Sequence, residues 1–170
     1  MRANIIDPTL PKPQLYAAIA ETLDALIGDE PDAIANLANA AALLYHSLPE
    51  INWAGFYLMR KGELVLGPFQ GRPACIRIAL GRGVCGTAAA RRAVVVVPDV
   101  ERFPGHIACD AASRSEIVVP LQWDGRVVGV LDVDAPRRAR FDDEDRAGLE
   151  RVAGILQQRV AWPTLATASR

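Results

Sequence analysis

The chain has little that would commit it to a membrane, a nucleic acid or a metal. No apolar run approaches the roughly 20 residues of a bilayer span, and the opening MRANIIDPTLPKPQLY lacks the compact apolar stretch of a secretory signal. A cytoplasmic location is expected. The 19 Lys and Arg nearly cancel the 20 Asp and Glu, leaving a net charge of −1, so no broad field draws the chain to nucleic acid or to a membrane surface. Repeats, low-complexity segments and interdomain linkers are missing. Cysteine is scarce as well. The three thiols, Cys75, Cys85 and Cys109, are spaced C-x9-C-x23-C, unlike the short pairs of zinc sites. In a reducing cytoplasm they rest as thiols, so a disulfide among them would be a catalytic intermediate sooner than a staple.

What is present fits one globular domain over residues 1–170: 51% of residues are hydrophobic and 23% charged, enough for a full core. Two helices are expected within about 12–45: Gln14 to Leu26, stopped by Gly28, and a second from Pro31 and Asp32 with Ile34, Leu37, Ala41 and Leu44 on one side. Near residue 52 the period changes to that of strands. NWAGFYLMR and ELVLG, joined at Lys61 and Gly62, read as a β-hairpin, with Trp53 and Tyr57 on one face as core or pocket wall. CIRIAL reads as a short strand, GRGVCGTAAARR as a small-residue helix able to lie close on a sheet, and Val94 to Val97 as a buried strand. A loop of about fifteen residues follows, too long to be a plain connection. Ser115 to Trp123 and Arg126 to Asp134 form a hairpin about Asp124 and Gly125, and an acid-led helix over about 142–160 closes the chain. This order predicts an α+β fold, a central and mainly antiparallel sheet over about 52–134 with helices packed on it.

The chemistry concentrates between Pro98 and Asp134. Counting along the last strand puts Asp132 and Asp134 on the side of Val128 and Val130, an apolar side, where a carboxyl must be hydrogen bonded, paired or protonated. Capping of the turn before Pro136 is the structural alternative. A regular two-residue hairpin would set Glu116 facing away from both aspartates. An irregularity in the ladder between Glu116 and Gln122, where Pro120 sits, would reverse that parity, and one is predicted there. Cys85 lies near a helix N-terminus, which favours a thiolate, among small neighbours that suit an inert core thiol. Cys109 sits on the long loop near His106 and Arg114, as an accessible reactive sulfur would. Three thiolates and His106 around zinc form a further alternative.

The segments NWAGFYL, LGPFQGRPACIRI, GVCGTAA, VPDV, FPGHIACDAASRSEIVVPL and GVLDVDAP, with the following F-D-x-x-D, resemble the free methionine-(R)-sulfoxide reductases, enzymes built on a GAF domain. The resemblance runs from about Asn52 to Asp145 and includes all three cysteines in their motifs. It implies reduction of the R-sulfoxide of free methionine, with thioredoxin as reductant and no metal or organic cofactor. By similarity Cys109 matches the attacking cysteine and Cys75 the resolving one, with Cys85 an additional redox thiol that could also resolve. Glu116, Asp132, Asp134 and Asp99 match an acidic pocket, and Trp53 and Tyr57 its aromatic wall.

A sulfoxide oxygen leaves once protonated, so Glu116 is assigned as the proton donor with Asp134 in support. Asp132, with Asp99, would select the substrate ammonium. Ser113 and Ser115 would offer donors to its carboxylate. A GAF small-molecule sensor is the rival reading, and alanine-rich helices near the N-terminus would allow a homodimer.

Overall fold

The computed structural model describes residues 6–107 and 110–162. Four helices and six strands follow in the order α1 (Lys12–Ile27), α2 (Ala33–Ser47), β1 (Trp53–Arg60), β2 (Glu63–Gly71), β3 (Arg77–Ala79), α3 (Gly83–Arg91), β4 (Val95–Val97), β5 (Ser115–Trp123), β6 (Arg126–Ala135) and α4 (Asp143–Arg159). The strands make one antiparallel sheet in the order β3-β2-β1-β6-β5-β4. The predicted α+β architecture is the observed one.

Local chemistry places the elements. Gly28 ends α1 at positive φ, and the Asp32 side chain caps α2 by accepting from the Ala35 N–H at 2.8 Å. Asp142 and Asp145 form a reciprocal capping box at the start of α4. Both hairpin turns are two residues long with positive φ throughout, 49° and 86° at Lys61 and Gly62, 50° and 69° at Asp124 and Gly125. Ile34, expected in the core, is 44% exposed, because the buried arc of α2 runs through Leu37, Ala40, Ala41 and Leu44 and leaves Ile34 on its flank. The Val94–Val97 run is only half-buried apart from Val97, since β4 is an edge strand.

The sheet separates two apolar layers. One face carries Phe56, Ile117, Leu121, Leu131 and Val133 against α1, α2 and α4. The other carries Trp53, Tyr57, Leu64, Val118 and Val130 against α3. Helix α3 can lie close because Gly86 faces the backbone: a Cβ there would stand 2.3 Å from the Ala79 carbonyl oxygen. Under α4, Asp145 is fully buried and accepts from Arg140 at 3.0 Å to each oxygen, from the Tyr16 hydroxyl at 2.9 Å and from Lys12 at 2.5 Å. This pairing ties α1 to α4.

Candidate functional site

The register of β5 and β6 decides the site. Trp123 pairs with Arg126 and Gln122 with Val127, but Leu121 pairs with Gly129, so β6 carries one extra residue at Val128. The predicted irregularity is there, at Leu121 and Gln122. Beyond it Glu116 stands directly opposite Asp134 and Val118 opposite Asp132, so all three acids share the α3 face. The same bulge corrects the count for Val128. Its side chain packs on the opposite face with Leu131 and Val133, while Val127 joins Val130 on the acid side.

The acids line a cavity of about 510 Å³, its open mouth included, between the sheet, the N-terminus of α3 and the loop after β4. Trp53 and Tyr57 form one wall, their rings stacked with centroids 6.0 Å apart. Trp53 is held from behind by Phe69 at 5.3 Å and by its indole N–H donating to the Arg72 carbonyl at 3.2 Å. The Tyr57 hydroxyl donates to the Cys75 carbonyl at 3.0 Å. Ile78, Val84, Cys85 and Ile107 contribute apolar surface, and Asp110 and Ser113 join from the loop. Gly83, at φ +57°, admits that loop: a Cβ on it would press on Ile107 at 3.3 Å.

Burial dominates the electrostatics. It pushes the carboxyl of Glu116 well up, with the charges of Asp132 and Asp134 adding to the effect. Asp134 is raised in the same way by burial and then by Asp132 and Asp110. Asp132 rises to about 7, burial outweighing the hydrogen bonds from Cys85 and Glu116 that favour its anion. Every shift is upward, so the chamber disfavours carrying all three acids as anions at once. Cys85 is buried against it, its thiol 3.8 Å from Glu116 Oε1, and burial with the two acids drives the thiol pKa up. Burial and the neighbouring acids thus oppose the thiolate that its place near a helix N-terminus would favour. His106 Nε2 lies 3.9 Å from Glu116 Oε2, and burial lowers the imidazole pKa. Among the described residues, the buried Asp132 Oδ1 in the chamber has no hydrogen-bond partner.

Of the residues singled out in the sequence, Trp53, Tyr57, Cys85, Ser113, Glu116, Asp132 and Asp134 meet at this cavity. Cys75 is disulfide-bonded whereas Cys85 is free, so in this oxidised form Cys75 offers no thiolate to a zinc ion. Cys109 lies outside the described residues. Asp99 and Ser115 do not line the cavity. The Asp99 carboxylate caps a 3-10 turn over Val100–Arg102 by accepting from the Glu101 N–H at 3.2 Å, and it pairs with Arg138 at 3.0 Å. Ser115 is fully buried, its hydroxyl donating to the Arg137 carbonyl at 2.6 Å and accepting from the Arg140 N–H at 3.3 Å. Both hold the segment after β6 to the loop. Asp110 was missed, although it adjoins Cys109. It accepts from the Asn52 amide at 3.1 Å, and that amide also donates to Ser113 Oγ at 3.0 Å, so Asn52 pins the loop to the start of β1.

Comparison with known proteins agrees with this geometry. The GAF domain model matches residues 15–160. The free methionine-R-sulfoxide reductase of Escherichia coli is 52% identical over 150 residues, 88% of this chain and 91% of that protein. The enzyme of the same name from Saccharomyces cerevisiae is 41% identical over 157 residues, 88% and 87% of the two chains. The X-ray structure of free methionine-R-sulfoxide reductase from Neisseria meningitidis in complex with its substrate superposes with a TM-score of 0.90 at 46% identity, covering 97% of this chain and 99% of that one. The chain belongs to the GAF domain family, and within it to the group of the free methionine-R-sulfoxide reductases.

Proposed function

We propose that the chain reduces the R-sulfoxide of free methionine to methionine in the cytoplasm, by thiol chemistry recycled by thioredoxin. The observation that carries the reading is Glu116, buried opposite Asp134 with its carboxyl pKa pushed up, in a cavity walled by Trp53 and Tyr57. The relatives named for this activity support the substrate class.

In this reading the Cys109 thiolate attacks the sulfoxide sulfur while Glu116 gives its proton to the departing oxygen. The hydroxyl then passes from the methionine sulfur to the Cys109 sulfur as the S–O bond breaks, the new S–S bond breaks with its electron pair going to the methionine sulfur, and reduced methionine leaves Cys109 as a sulfenic acid. The Cys75 thiol condenses with it, releasing water and forming a disulfide. A thioredoxin dithiol then reduces the disulfide and is itself oxidised. That Cys75 is disulfide-bonded and Cys85 free supports Cys75 as the resolving thiol. Asp132 accepts the substrate ammonium through its unpartnered Oδ1, which a peptide-bound residue could not satisfy.

Consumption of NADPH in the presence of thioredoxin, thioredoxin reductase and free methionine-(R)-sulfoxide tests the reading. Turnover is expected with the free amino acid, lost in Cys109→Ser, and absent with the S epimer or a peptide-bound sulfoxide. Saturable ligand binding without any NADPH consumption would overturn it in favour of a sensor.

A further inference from the structure

The redox cycle leaves Cys85 without a task, yet it is buried beside two of the three acids. Its Sγ and one carboxylate oxygen each of Glu116 and Asp132 lie within 4.8 Å of one another, and Sγ to Glu116 Oε1 is 3.8 Å. In a tetrahedral zinc site with bonds of about 2.0 Å to oxygen and 2.3 Å to sulfur, a sulfur-to-oxygen edge measures roughly 3.5 Å. Small side-chain rotations close the remaining gap. His106 Nε2 lies 3.9 Å from Glu116 Oε2, outside the mutual reach of the trio, and would become a fourth donor only by moving towards it.

A separate observation is an unpaired acceptor aimed into the same chamber. Asp132 is 5% exposed, and among the described residues its buried Oδ1 has no hydrogen-bond partner, so it is an acceptor that a bound cation or donor would satisfy. Among the described residues, no Lys or Arg lines the cavity. We propose that Cys85, Glu116 and Asp132, with His106, form a binding site for a thiophilic divalent cation of the zinc class. One soft sulfur among oxygen and imidazole donors selects zinc or cobalt over magnesium and calcium.

The cation and the substrate would exclude each other. A metal on Glu116 occupies the oxygen that must carry the transferred proton, and a metal on Asp132 takes the acceptor for the ammonium. The site thus makes the reduced protein subject to inhibition by zinc, with Cys85 setting the affinity. That inhibition rests on the function proposed above; the binding does not.

Cobalt(II) titration of the fully reduced protein without oxygen, followed by absorption spectroscopy, tests the site. One cobalt per chain is expected, with a thiolate-to-metal charge-transfer band and the d–d bands of a tetrahedral centre. Zinc should abolish both. The band should survive in Cys75→Ser/Cys109→Ser, which has no turnover, so its presence there is independent of reductase activity. It should vanish in Cys85→Ser, and Asp132→Asn should weaken binding tenfold or more with circular dichroism unchanged. Should Cys85→Ser not fold, the Asp132→Asn titration carries the test alone. A band that persists in folded Cys85→Ser, cobalt bound without sulfur, or unaltered affinity in Asp132→Asn would overturn the proposal. Loss of the band in the double variant would place the sulfur elsewhere and do the same.

Discussion

Replacing Glu116 with glutamine keeps the length and hydrogen-bonding capacity of the side chain and removes its proton. The group is 7% exposed, faces Asp134 across the ladder, and is raised by burial and by Asp132 and Asp134, so its surroundings favour the protonated form that a departing oxygen requires. General acid catalysis of this kind contributes about 100- to 10,000-fold, and at 1.36 kcal/mol per decade the barrier should rise by about 3–5 kcal/mol. The effect should fall on kcat, with KM changed by less than about threefold, because amide and acid fill the same space. The pH dependence has a definite sign. A raised carboxyl pKa means activity is full at low pH and falls as pH climbs through it, and Glu116→Gln should flatten that limb. Folding stability moves the same way: the native state holds a proton that the unfolded chain releases above about pH 4.3, so stability declines as pH rises from there towards the folded pKa, and the variant should decline less. Initial rates from pH 5 to 9 and urea unfolding at both ends decide the matter. A kcat within threefold of the parent, or an unchanged pH limb, would refute the role given to Glu116.

Asp132→Asn should raise KM for free methionine-(R)-sulfoxide by tenfold or more. Since the Asp132 carboxyl is pushed up to about 7, the parent loses stability between about pH 4 and 7, and Asp132→Asn should be more stable at pH 8 by an amount on the order of a few kcal/mol in urea unfolding. Cys75→Ser should release about one methionine per enzyme with thioredoxin and then stop, as quenched-flow product analysis would show; continued turnover there, with arrest in Cys85→Ser, would exchange their roles. Asp145→Ala leaves Arg140, almost fully buried, without its carboxylate, and chemical denaturation should show a loss of about 3–5 kcal/mol.

Much of the fold was legible because its signals are local. The Lys61-Gly62 and Asp124-Gly125 turns, the Gly28 stop and the acidic start of α4 each act within a few residues, and each lies where its chemistry predicts. Glu116 was legible for a subtler reason: the mismatch of face between it and the aspartates demanded a bulge. The demand did not say which strand would hold the extra residue, and Val128 was misplaced for that reason. Asp99 and Ser115 could not be read because their partners, Arg138, Arg137 and Arg140, come from a distant segment. The buried cluster of Lys12, Tyr16, Arg140 and Asp145 escaped notice likewise, its members coming from both ends of the chain.

The extra residue in β6 has a bearing on which lengths of this hairpin evolution can use. Side chains along paired strands alternate like the two colours of a chessboard, and Val128 shifts the pattern by one square between the tip and the acids. An odd insertion or deletion within the paired residues between Glu116 and Asp132 would therefore turn these acids to opposite faces unless a second one restores the count or the turn absorbs it. The chemistry of this site is guarded by an arithmetic of odd and even that no single side chain carries.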